Sequence, residues 1–216
     1  MPDSYQLPPA GRTFMYEEEI KRSRFIALAR RAHDEGQARA FIDEMRAGYP
    51  DARHHCSAYY FQVPGSNPVE RSSDDGEPSG TAGKPMLDVV KGSGLSDVVV
   101  VVVRYFGGVK LGAGGLVHAY SGATSGVLDT IVPVTRSLRE LYAVEVPHAE
   151  AGKVEAELRN RGVVVVDTAY AAAVTLTVAV APGGVDKLKD TLAALTQGRV
   201  EARRAGESWI ESDKLQ

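Results

Sequence analysis

Residues 98–103 are six consecutive valines, and nothing else in the chain restricts its fold as tightly. β-Branched side chains favour extended backbone, and an apolar run without alternation reads as a strand covered on both faces. Arg104 ends the run far short of a bilayer-spanning length, so a central position in a sheet is expected.

Two polar, glycine-loaded loops bracket this strand, and function is expected there. The second runs RYFGGVKLGAGGLVHAY over 104–120, with five glycines within nine residues, 107–115. Such a density implies positive φ angles or close approach to the backbone. Leading into a helix expected over 115–131, it offers backbone N–H groups and a positive dipole end to an anion, with Arg104 and Lys110 flanking. A tight turn that only lets the helix pack back on the sheet fits the glycines equally well.

The first loop, 72–85, is acidic, with Asp74, Asp75 and Glu77 followed by Ser79, Thr81 and Lys84. Ser79 or Thr81 is expected to cap the next helix, a reading preferred over metal ligation because no further acid stands at an EF-hand spacing. Nucleotide motifs fail on inspection. Val117 occupies the third glycine position of a dinucleotide fingerprint, while Pro78 and Pro85 spoil a Walker loop around Gly83-Lys84. Thr124 stands where a nucleophile elbow needs serine. No cofactor, metal or catalytic residue is therefore expected.

With 216 residues, 44% of them hydrophobic, the chain can hold two modest cores. The net charge of −3 is spread evenly, so any polyanion contact must come from a local patch. One cysteine excludes an internal disulfide framework and makes the cytoplasm the expected compartment. Residues 1–11 read as a loose lead-in. Strands are expected at 13–20 and 25–29 around Lys21-Arg22-Ser23-Arg24, a turn whose charges are ordinarily solvated but as a patch can meet phosphate. A helix from Asp34 closing at Tyr49-Pro50, a strand at 54–63 and a helix over 86–90 follow. Cys56 beside His54 is read as a core position rather than a thiol-imidazole pair. Pro133 and the polar run 135–139 mark the expected boundary between domains 1–135 and 136–216. Beyond it, strands at 142–146, 163–168, 173–180 and 200–210 and helices at 149–160 and 185–195 spell a ferredoxin-like β-α-β-β-α-β unit.

The segments DDGEPSGTAGKPM and VVVRYFGGVKLGAGGLVHAY, with His54-His55-Cys56-Ser57-Ala58-Tyr59 before them, closely resemble the YigZ/IMPACT family. The resemblance implies an α+β chain of two domains. The first would be ribosomal-protein domain-2-like, as in domain IV of elongation factor G, and the second ferredoxin-like, as in domain V of that factor. It also implies a connection with translation, since eukaryotic members are linked to control of initiation under amino-acid stress. The signature positions are Asp74, Asp75, Gly76, Glu77, Gly80, Thr81, Gly83, Arg104, Tyr105, Gly107, Gly108, Leu111, Gly112, Gly114 and Gly115. His118 departs from the Lys or Arg usual in bacterial members, which removes a permanent charge beside the loop.

The expected function is a cytoplasmic, non-catalytic regulator of translation that binds RNA, the ribosome or a translation-regulatory protein, without a membrane. The candidate RNA or anion site comprises Asp74, Asp75, Glu77, Thr81, Lys84, Arg104, Tyr105, Gly107, Gly108, Lys110, Gly112, Gly114, Gly115 and His118. Tyr105 or Phe106 would stack on a base or fill the core, with burial of both the expected state. The alternative is a small-molecule phosphotransferase or hydrolase that holds a nucleotide in these loops, with Asp74 or Asp75 as base or magnesium ligand and Lys84 neutralising phosphate.

Overall fold

A computed structural model describes residues 3–213 of the chain. Its elements run β1 (Ser4–Leu7), β2 (Thr13–Ile20), β3 (Ser23–Arg31), α1 (Glu35–Gly48), β4 (His54–Phe61), β5 (Val69–Ser73), α2 (Gly83–Gly92), β6 (Val98–Tyr105) and α3 (Gly112–Asp129). They continue β7 (Val134–Val146), α4 (His148–Asn160), β8 (Val164–Tyr170), β9 (Val174–Val180), α5 (Val185–Thr196) and β10 (Ala202–Asp213). Backbone contacts divide the described residues into two units, one of residues 3–135 with 212–213 and one of residues 136–211.

The first unit is an antiparallel sheet in the order β2-β3-β6-β4-β5. The valine strand β6 is its middle member. Val98, Val100 and Val102 pack with residues of α2 and α3, while Val99, Val101 and Val103 pack with α1. All six are fully buried, each contributing roughly 1.5–3 kcal/mol of apolar burial. The strand thus needs helices on both faces of the sheet, and it has them.

The second unit pairs β7 with both β9 and β10, and β8 lies outside β9. With α4 and α5 this is the ferredoxin-like arrangement. Its core gathers Val144, Val154, Leu158, Leu176, Val178, Leu188 and Leu192.

Several elements depart from expectation. Within residues 3–11 the lead-in contains β1, whose Leu7 is fully buried and whose Gln6 carbonyl accepts from the Ser96 amide at 2.8 Å. Residues 1 and 2 lie outside the described ones. Helix α2 extends through Pro85, tolerated because a first-turn residue has no amide bond to lose. β7 begins at Val134, so the polar run expected as a linker is itself strand. β5 escapes the sequence reading altogether: VERSS is nearly all exposed and shows no apolar alternation.

Candidate functional site

The first loop is organised by one carboxylate. Oδ1 of Asp74 accepts from the Ala82 and Gly83 amides at 3.0 and 2.8 Å, and Oδ2 accepts from Gly80 at 2.8 Å. Asp74, not Ser79 or Thr81, therefore satisfies the open end of α2. The expected local cap is wrong because the turn around Pro78 brings a residue from before the loop back over the helix start. The Thr81 hydroxyl donates instead to the Pro78 carbonyl at 2.6 Å.

Burial pushes the Asp74 carboxyl up, but the bonds from Gly80, Gly83 and Ala82 together outweigh it, so it titrates below an ordinary aspartate. A depressed folded pKa stabilises the protein above the unfolded value, near pH 4, and that stability is lost as pH falls through the lower folded value. Asp74→Ala is expected to cost about 1–2 kcal/mol at neutral pH. In urea melts it should also flatten the decline of the midpoint in acid, and an unchanged acid slope would remove this role from Asp74.

Beneath the loop lies a buried polar group. Oε1 of Glu77 accepts from Arg104 Nη1 at 2.6 Å and from the Tyr120 hydroxyl at 2.8 Å. Glu77 and Arg104 are only 8% and 6% exposed. Strand pairing explains the position: Arg104 continues the α2/α3-facing set of β6 and stands between Phe25 of β3 and His54 of β4. His54 Nδ1 meets the Asp75 carbonyl at 2.9 Å, and the Asp75 carboxylate accepts from the His55 amide and from Arg46. Glu77 of the first loop thus meets Arg104 and Tyr120 at the two ends of the second segment, and Asp74, Asp75, Glu77, Thr81 and Arg104 all have protein partners. Lys84, exposed on α2, is ion-paired with Asp88 one turn along.

Cys56 is part of this packed layer. Its thiol donates to the Asp74 carbonyl at 3.0 Å, and burial pushes its pKa up to about 12. Thiolate is the reactive form. In native buffer a disulfide reagent should leave Cys56 unmodified, with stoichiometric reaction only in denaturant; rapid native labelling would contradict this packing.

The second loop is different. Phe106 is 51% exposed, contrary to the expected burial, while Tyr105 is half-buried with the Arg24 guanidinium over its ring. Lys110 and His118 are exposed, and the start of α3 at Gly112, three residues earlier than expected, has no side-chain cap. Burial pushes the Glu18 carboxyl on β2 up, and the charge of His118 opposes it. The loop is seated on the β2–β3 turn. Gly107 donates to Ser23 Oγ at 3.2 Å, and a Cβ on Gly107 would lie 2.5 Å from the Ser23 nitrogen and closer still to the Arg22 carbonyl.

That turn is Lys21-Arg22, both exposed and both at positive φ, 47° and 65°. Among the described residues neither has a carboxylate partner, and the same holds for Lys110. The hairpin patch was visible in sequence as a basic cluster, but its apposition to the glycine loop was not.

Fold and site together define a two-unit α+β protein: a sheet with helices on both faces, whose exposed glycine loop leans on a basic hairpin, followed by a ferredoxin-like unit. Residues 21–128 match the Impact N-terminal domain, and residues 144–199 match a domain of unknown function, DUF1949. The chain is 38% identical to IMPACT family member YigZ of Escherichia coli K12 over 201 residues, 92% of this chain and 97% of that protein. It is 40% identical to an IMPACT family member encoded in the pol 5′ region of Thermus thermophilus, covering 89% of this chain and 99% of that one. A crystal structure described as that of a hypothetical protein aligns with a TM-score of 0.61 and 36% identity, covering 94% of this chain and 97% of the other. The chain belongs to the IMPACT family.

Proposed function

We propose that this protein is a cytoplasmic, non-catalytic regulator of translation that docks on ribosomal or other structured RNA through the 106–118 loop and the Lys21-Arg22 turn. The observation that carries the reading is Phe106, a half-exposed aromatic on a loop flanked by cations without acid partners. An exposed ring offers a stacking surface to an unpaired base, and Lys21, Arg22 and Lys110 offer charge to phosphates. Uncapped amides at the start of α3 add donors for a phosphate oxygen. Family membership supports the connection with translation. Asp74, Asp75, Glu77, Thr81 and Arg104 act in this reading by holding the loop from beneath, and Lys84 takes no part.

The test is a salt titration of binding to ribosomes and to a structured RNA. Phe106→Ala is expected to weaken binding about fivefold to a hundredfold, on the order of 1–3 kcal/mol for a lost stack. Lys21→Ala with Arg22→Ala should lower the salt slope by about two units. Saturable binding unaffected by either change would move the surface elsewhere. Loss of a protein partner with RNA binding absent throughout would make the loop a protein-docking element.

A further inference from the structure

In the second unit a groove of about 520 Å³ opens between the first half of α5 and one end of the β8–β9 pair. Its floor is aliphatic, with Val163, Val180 and Leu188, and its rim carries Arg139, Arg161 and Lys187. No lining residue bears a carboxylate. Arg161 is already held by Glu157 at 2.8 Å. Among the described residues, Arg139 and Lys187 have no acid partner. Two cations without acid partners lining one groove that has no carboxylate give it a positive potential that attracts an anion.

We propose that this groove binds a phosphate monoester whose organic part lies on the aliphatic floor. Two free cations match the charge of a phosphate monoester near neutral pH, about −1.5 to −2, better than the single charge of a carboxylate. The volume falls within the roughly 300–1,000 Å³ of small-molecule sites, and an apolar lining with a few convergent polar groups is their usual make-up. The site is independent of the RNA surface proposed for the first unit.

The full chain is titrated calorimetrically, at fixed ionic strength, with adenosine monophosphate, octyl phosphate, inorganic phosphate and adenosine. At least one monoester is expected to bind saturably, more than tenfold tighter than inorganic phosphate, and more than tenfold tighter than adenosine if it is the nucleotide. Preference for adenosine monophosphate assigns a nucleotide, and preference for octyl phosphate assigns an aliphatic phosphate. Lys187→Gln, at an exposed position, and Arg139→Gln should each weaken that binding at least tenfold with the circular dichroism spectrum unchanged. Phe106→Ala should leave it intact, which separates this site from the glycine loop. The proposal is overturned by the absence of saturable monoester binding to the folded protein, by affinity no better than that for inorganic phosphate, or by undiminished binding in Lys187→Gln.

Discussion

Gly107→Ala is expected to destabilise the first unit by about 3 kcal/mol or more, the upper end of the overpacking range. The added methyl has nowhere to go. It would overlap the Arg22 carbonyl and press on the Ser23 nitrogen, and both are backbone atoms of a two-residue turn that cannot yield as a flexible side chain would. For a unit of this size the loss corresponds to a fall in Tm on the order of 10 °C. Gly108→Ala is the control: φ is +83° but nothing lies within 4 Å of the added carbon. There the cost is the left-handed backbone alone, about 1–2 kcal/mol. Thermal and urea melts of the two variants decide the matter. If Gly108→Ala proves the more damaging, the glycine loop does not sit against the hairpin turn as described.

Arg104→Met is expected to cost about 3–5 kcal/mol, because it strands the Glu77 carboxylate in a site closed to water. Glu77→Gln strands the guanidinium in the same way, although the Tyr120 hydroxyl keeps an oxygen to donate to. The double variant should lose much less than the two single losses added together, since neither unpaired charge remains. A double-mutant cycle in urea measures the coupling, expected at about 2 kcal/mol or more. Strict additivity would mean that the pair is not closed from solvent. The Arg104 guanidinium also lies 5.6 Å over the Phe106 ring, so loss of RNA binding in an Arg104 variant would report a damaged fold or a displaced Phe106 rather than a missing phosphate contact.

The elements that were legible in the sequence are those whose signal is local and apolar. The valine run placed β6 at the sheet centre, and the strand expected at 54–63 is β4, whose Cys56 is a core position as expected and whose Tyr59 lies in the opposite core. The βαββαβ pattern of the second unit likewise follows from periods of two and 3.6 residues. Elements that escaped lack such a pattern. β5 is an exposed edge strand made by pairing with β4, and the first half of β7 carries TRSLRE at half-buried positions. The candidate residues were legible as a list, and the surface proposed for them was not. Asp74, Glu77 and Arg104 have the composition of a binding loop, and only their partners reveal them as structural.

The amino-acid order alone determined that a doubly covered strand would run through residues 98–103, that glycine-rich loops would flank it, and that a ferredoxin-like unit would follow. Each rests on preferences between near neighbours in the chain. The tertiary structure alone decided which charges are spent inside and which stay open. Arg104 finds Glu77 27 residues away, and Gly107 finds Ser23 84 residues away. Those meetings depend on the register of β3, β4 and β6 and on the path of a loop over a helix end, which no local spacing encodes. The same register leaves Lys21, Arg22, Phe106 and Lys110 facing water.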